Sequence, residues 1–274
     1  MTAVPSELAW EGDVLRAGSV IFDTSFDAKF ASTPGAFKLY KGPANVRDLT
    51  TVLAVASAPC RNVLELGIYR GGSVVLWNEL LQPARLSAID HDQPREDETL
   101  RQYLASDRGR GVRLHWGVDQ GDRTALERVL ADDDLEPLDL VVDDGSHMLD
   151  LTTTSFDILF PRLRPGGWYL IEDWAWDHLP PSVGMPDFGY HHPWAMRRSP
   201  ARLVERLLLA AASRHDAIMR IEVLQTVVAI QRGDAEPWNL DAASLGERPR
   251  PLLEWRVRNR LKPLRRWVRR RWGL

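Results

Sequence analysis

Cysteine is almost missing from this chain: Cys60 stands alone among 274 residues. No internal disulfide is therefore open to it, and with no basic-then-apolar leader at the start, a reducing cytoplasm is the simplest expected compartment. Also missing is any apolar run approaching the roughly 18 residues that a membrane-spanning helix needs. Internal repeats and low-complexity blocks are absent. There is no surplus of positive charge either, since the formal net charge is −3. That figure conceals an asymmetry. Residues 247–274 carry eleven Lys/Arg against two acids, Glu247 and Glu254, which leaves residues 1–246 with 24 basic and 36 acidic side chains. Such an acidic body does not suit a nucleic-acid partner, whereas its basic end would seek an acidic surface. What is present, 44% hydrophobic residues, suffices for one substantial core with terminal extensions.

From about residue 61, short β-like runs alternate with helical stretches, which predicts an α/β fold with a doubly wound, mostly parallel sheet. Strands are expected at Asn62–Leu66, Arg85–Ile89, Val112–Trp116, Leu138–Val142 and Trp168–Ile171. Helices are expected from Ser73 to Leu81, after Asp150 with Phe156, Leu159, Phe160 and Leu163 on one face, and around Ala201–Ser213. Pro165-Gly166-Gly167 reads as the stop of the second of these. Ala217–Leu224 and Thr226–Gln231 are close enough to form an antiparallel closing hairpin. The expected organisation is an N-terminal lid or oligomer arm over 1–50, without a clear period of its own, a main domain over 51–232, and a linker and basic amphipathic tail over 233–274.

Two of these strands end in paired acids. Val141-Val142-Asp143-Asp144-Gly145-Ser146-His147 is answered by Tyr169-Leu170-Ile171-Glu172-Asp173. In a parallel sheet the carboxyl ends of neighbouring strands share one edge, so Asp144, His147, Glu172 and Asp173 can converge there. The grouping suits a divalent metal beside a general base. Asp143 points to the other face of its strand and either lines a ligand pocket or caps a helix. Upstream, Glu65-Leu66-Gly67-Ile68-Tyr69-Arg70-Gly71-Gly72-Ser73 joins the first strand to its helix. Its glycines allow close backbone approach to a ligand, and the helix amino end favours anionic groups. The spacing departs from the G-x-G-x-x-G dinucleotide fingerprint, and Asp90 stands where an acid holds ribose hydroxyls in nucleotide-type folds. The plainer alternative is an ordinary tight βα turn, with Asp90 capping a helix.

The Glu-x-Gly-x-x-x-Gly turn, Asp90, the Gly117-Val118-Asp119-Gln120 segment and the closing hairpin together resemble a Rossmann-like class I S-adenosylmethionine-dependent methyltransferase. Asp-Asp-Gly-Ser-His at 143–147 with Glu172-Asp173 resembles, more narrowly, the metal-dependent sugar O-methyltransferases of the mycinamicin and macrocin type, a group that also carries a cephalosporin hydroxylase-like label. The resemblance covers roughly residues 60–180. It implies S-adenosyl-L-methionine as cofactor, held by Glu65, Gly67, Tyr69, Gly71 and Ser73 on the methionine side and by Asp90 at the ribose. Asp119 and Gln120 fall near the adenine, with Asp143 counted on the cofactor side. It makes Asp144, Glu172 and Asp173 the ligands of Mg²⁺, with Mn²⁺ a plausible substitute, and His147 the base. A sugar hydroxyl is a poor nucleophile at neutral pH. A hard cation that lowers its pKa, together with an imidazole that takes its proton, meets that need.

Trp174, Trp176, His178, Tyr190 and His191 follow directly and form the expected acceptor segment, because flat rings cover the apolar faces of sugars and imidazoles bond their hydroxyls. The other reading of this segment is a packed loop or subunit contact. The expected partner is a sugar or glycoside of a natural product, glycolipid or polysaccharide, and the expected assembly a homo-oligomer. Leu253, Val257, Leu261, Leu264, Val268 and Trp272 form an apolar stripe among arginines. That stripe suits docking on the acidic body or a neighbouring subunit, or peripheral contact with the inner membrane face. A catechol-type acceptor is disfavoured by Glu172-Asp173, where such enzymes usually present Asp-Asn. A hydroxylase lacks a recognisable facial triad. A non-catalytic cofactor-binding or scaffold protein is the alternative of a different class.

Overall fold

The computed structural model describes residues 8–25, 33–55, 59–178 and 197–235. The tail expected beyond Ala235 lies outside these residues, as do Tyr190 and His191 of the acceptor segment. Among the described residues, no helix is long and apolar enough to cross a membrane.

The main sheet has seven strands. In chain order they are β5 (Asn62–Leu66), β6 (Arg85–Asp90), β7 (Val112–Trp116), β8 (Leu138–Asp143), β9 (Leu163–Glu172), β10 (Ile218–Val223) and β11 (Val227–Arg232), in the spatial order β10-β11-β9-β8-β5-β6-β7. Pairing is parallel from β7 through β9, and β11 runs antiparallel to both its neighbours. All six residues of β8 are buried, as befits a central strand covered on both faces. Strand order reverses between β5 and β8, which opens a crevice at their carboxyl ends. Helices α2 (Gly72–Leu81), α3 (Glu98–Ala105), α4 (Arg123–Asp132), α5 (Leu149–Leu159) and α6 (Ala201–Ser213) cover the sheet. Asp97 and Asp122 cap α3 and α4 by accepting from the Leu100 and Ala125 amides at 2.9 and 3.1 Å.

Two features depart from expectation. Pro165-Gly166-Gly167 does not stop a helix: α5 ends at Leu159, a single 3₁₀ turn follows, and the three residues lie within β9. Gly166 takes φ +79 there, close to a register irregularity against β8, a conformation glycine adopts cheaply. The N-terminal arm is also regular. Strands β1 (Leu8–Glu11), β2 (Val14–Ala17) and β3 (Val20–Asp23) form antiparallel hairpins turned at Gly12 and Gly18, β4 (Phe37–Lys38) joins parallel to β3, and helix α1 (Pro43–Val55) follows.

This arm shares its core with the body. Leu15, Phe22, Phe37 and Leu39 pack with Val75, Leu76 and Leu80 of α2 and with Leu100 and Tyr103 of α3. Helix α2 therefore buries both faces, Val74 and Trp77 toward the sheet and Val75 and Leu76 toward the arm. The approach is so close that a Cβ on Gly72 would lie 2.0 Å from the Lys38 carbonyl oxygen.

Candidate active site

Sheet register builds the site. β5–β8 pairing aligns Leu66 with Asp143, and β8–β9 pairing aligns Asp143 with Ile171. One residue further on, Gly67, Asp144 and Glu172 stand side by side at the carboxyl edge. Gly67 has φ +100, and a Cβ there would fall 2.2 Å from the Asp144 carbonyl oxygen. Glycine is what lets the two turns touch.

Asp143 points the opposite way, as strand alternation requires. It is 2% exposed and accepts from Tyr169 Oη and Ser155 Oγ at 2.8 Å each and from Gln120 Nε2 at 3.3 Å. Burial raises its pKa in spite of these donors. Gln120 Oε1 in turn accepts from the Ser146 amide at 2.7 Å. Asp143 and Gln120 thus brace the 144–147 turn from within the fold.

Asp144, His147 and Asp173 each offer a ligand atom within 4.8 Å of the others, and His147 Nε2 lies 3.9 Å from Asp144 Oδ1. His147 and Asp173 have φ of 54° and 48°, left-handed conformations that cost roughly 1–2 kcal/mol each and tend to cluster at functional sites. Trp176 Nε1 donates to the His147 carbonyl at 2.8 Å, and the Asp173 amide donates to the Thr226 carbonyl at 3.0 Å. Asp173 is exposed, yet the neighbouring turns take enough water from its carboxyl to push its pKa upward, with the Asp144 charge adding to this and His147 opposing it.

Lys41, which the sequence reading did not single out, completes the cluster. Its side chain is 3% exposed, and Nζ donates to Asp144 Oδ2 at 2.7 Å and to Glu172 Oε2 at 2.6 Å. Burial alone would lower its pKa, but the two carboxylates outweigh that and hold the proton above the ordinary range. Burial and the Asp144 charge push Glu172 well above the carboxylate range, against the pull of Lys41. One compositional signal could have flagged this residue. Of 35 basic residues only four are lysines, at 29, 38, 41 and 262, in a chain that otherwise uses arginine.

The donors suit a hard divalent cation. Asp144 and Asp173 meet beside the His147 imidazole, Glu172 stands next to Asp144 on the far side of Lys41, and among the described residues Glu172 Oε1 and His147 Nδ1 are buried without a hydrogen-bond partner. A second acid–histidine group, Asp90-His91-Asp92, also comes together. The Asp90 carboxylate, however, holds the glycine turn, accepting from the Ile68 and Tyr69 amides at 3.0 and 2.8 Å and from the Asp92 amide at 2.9 Å.

Along the cofactor turn, Tyr69 has φ 51° and meets Tyr40 of the arm edge-on at 5.4 Å between ring centroids. Gly71 caps α2 at φ 76°, and half-buried Ser73 follows in its first turn. Glu65 is fully buried and accepts from Trp77 Nε1 at 3.1 Å. Asp119 accepts from the Gly121 amide at 2.7 Å. Trp174 Nε1 is committed to the Leu224 carbonyl at 3.1 Å, with its ring against the core. His178 is exposed beside Asp177.

Residues 64–174 match the family described as a methyltransferase domain. That stretch is 111 of the chain's 274 residues. The chain is similar to longer proteins only in part. The 8-demethyl-8-alpha-L-rhamnosyl tetracenomycin-C 2'-O-methyltransferase of Streptomyces olivaceus is 36% identical over 118 residues, 43% of this chain and 28% of that one. The mycinamicin VI 2''-O-methyltransferase of Micromonospora griseorubida is 33% identical over 129 residues, 44% of this chain and 29% of that one. The matched stretch thus spans less than a third of these curated relatives. Among solved structures, the MycE methyltransferase of the mycinamycin pathway, in complex with Mg, SAH and mycinamycin VI, aligns with TM-score 0.50 and 25% identity over 72% of this chain and 51% of that one. The main sheet and its helices accordingly have the Rossmann-like class I fold expected for them.

Proposed function

We propose that the chain transfers a methyl group from S-adenosyl-L-methionine to a sugar hydroxyl of a glycosylated natural product, glycolipid or polysaccharide, with Mg²⁺ bound at the acid cluster and Mn²⁺ able to replace it. The observation that carries this reading is the meeting of Asp144, His147 and Asp173 beside the Gly67 turn, with Glu172 joined to Asp144 through Lys41 and, among the described residues, a buried Glu172 oxygen and a buried His147 nitrogen left unpartnered. The likeness to sugar O-methyltransferases and to a structure holding Mg and SAH supports it.

Bound at these residues, the sulfonium supplies an activated methyl group and the divalent ion acidifies and fixes a hydroxyl. The protein's part is placement and proton transfer. Gly67 and Gly71 let the backbone approach the methionine end, while Glu65 sits behind them as the acid for its amino group. Asp90 keeps the turn in shape through three backbone N–H groups and has its remaining acceptor site on Oδ1 for a ribose hydroxyl. Asp144, Glu172 and Asp173 hold the ion, and His147 takes the hydroxyl proton, its backbone pinned by Trp176. Trp176 and His178 begin the acceptor wall, where Trp176 offers a ring face because its N–H is committed to the His147 carbonyl, while Trp174, packed against the core, supports that wall from behind. The buried single thiol Cys60 suits a cytoplasmic setting.

Incubation with isotope-labelled S-adenosylmethionine and a panel of glycosides tests the reading. Labelled methyl should appear on a sugar oxygen, vanish with chelator, and fall about 10²–10⁴-fold in His147→Ala with cofactor binding retained. Transfer indifferent to chelation removes the metal role, and transfer unaffected in His147→Ala removes the base.

A further inference from the structure

We propose that Lys41 is a positioning residue of the metal site, a built-in monovalent cation that clamps Asp144 and Glu172 by one oxygen each and leaves their opposite oxygens for one divalent ion. The inference rests on the metal reading above and extends it to a residue outside the matched stretch 64–174.

The geometry divides each carboxylate. Lys41 Nζ takes Asp144 Oδ2 and Glu172 Oε2 at 2.7 and 2.6 Å. Asp144 Oδ1 is the oxygen nearer His147, at 3.9 Å from Nε2, and Glu172 Oε1 is buried without a partner. Ammonium and metal ion therefore need not compete for the same atoms. Charge balance points the same way. Asp144, Glu172 and Asp173 bring three negative charges into a site where Glu172 is 2% exposed. One lysine and one divalent ion neutralise them. Asp173 is exposed and Asp144 half-buried, so the cost falls on Glu172: without Lys41 its enclosed charge would face Asp144 with no fixed cation between them.

The arm holds Lys41 in place. Ala36, Phe37, Lys38 and Leu39 are all buried, the Leu39 amide donates to the Asp23 carbonyl at 2.9 Å, and Lys38 Nζ donates to the Ser25 carbonyl at 2.5 Å. A lysine serves better than arginine here, because a compact ammonium reaches two carboxylates on different strands from one point, while a planar fork favours one carboxylate face. Partners that hold metal ligands from behind typically change metal affinity 10–100-fold when removed.

The test is Mn²⁺ titration of the full chain by calorimetry, comparing wild type with Lys41→Met, together with S-adenosylhomocysteine binding and a thermal melt on each. We expect one Mn²⁺ in wild type, 10–100-fold weaker binding in Lys41→Met, and S-adenosylhomocysteine affinity within about threefold. Equal or tighter Mn²⁺ binding in Lys41→Met overturns the clamp while leaving the metal reading intact. No Mn²⁺ binding by wild type overturns both. Should Lys41→Met fail to fold, reductive methylation of wild type read by mass spectrometry still decides. Lys41 should stay unmodified at saturating Mn²⁺, and its labelling on adding the ion would show that the ion displaces it.

Discussion

At Glu65 the carboxyl is wholly enclosed, and burial pushes it from 4.5 up to about 8, against the opposing charge of Lys41. The folded, ligand-free chain therefore holds a proton there at neutral pH that the unfolded chain does not. The stability this contributes is fully present below about pH 4.5 and is lost as pH rises through 8. A cationic amino group placed beside the same carboxyl reverses the preference, so cofactor binding near pH 7 should release up to one proton. The affinity for S-adenosylhomocysteine should then rise by as much as about tenfold per pH unit toward pH 8. Calorimetry in buffers of different ionisation enthalpy reads the released proton directly, and Glu65→Gln should abolish the buffer dependence. Binding heats identical in all buffers would contradict this placement of the amino group.

Helix α2 is the element on which arm and domain both depend. Because a Cβ on Gly72 would meet the Lys38 carbonyl oxygen at 2.0 Å, and that atom is backbone, Gly72→Ala must push β4 off the helix. A loss of about 2–4 kcal/mol in thermal or urea unfolding is expected, together with weaker Mn²⁺ binding, since Lys41 belongs to the displaced segment. An unchanged melt would mean that the arm does not rest on α2. At this scale the sequence was readable where apolar period and length agree. β5, β7 and α6 have the boundaries their patterns predict, and both acid-ended strands are where their apolar runs place them. The short elements were harder. β1 to β3 are four residues each, too brief for alternation to stand out, although Gly12-Asp13 and Gly18-Ser19 are hairpin turns by composition. Helices α3 and α4 carry aspartate caps but polar outer faces and few buried residues. Asp143 could be separated from Asp144 by strand alternation, yet its partners Tyr169, Ser155 and Gln120 emerge only in three dimensions. Lys41 has no local pattern at all, because its partners lie 103 and 131 residues away.

For the molecule as a whole, those separations bear on the order of assembly. The arm and α2 can condense earlier, since Phe22, Phe37 and Val75 share one core and lie closer in sequence than Lys41 and Glu172, which are 131 residues apart. The link from Lys41 to Glu172 closes a far longer loop and waits for β8 and β9 to pair, and contacts of large sequence separation are slow to form. During synthesis Lys41 emerges well before the strand that carries Glu172, so the ammonium must remain hydrated until the sheet is finished. In refolding from urea, Mn²⁺-binding competence should therefore lag behind the recovery of far-ultraviolet circular dichroism. Identical rate constants for the two would show that the arm docks in the same step as the sheet. The residue that balances the site's charge thus also makes metal uptake a report on completed folding: a nascent or partly folded chain, lacking the Lys41 clamp, has no finished place for the ion.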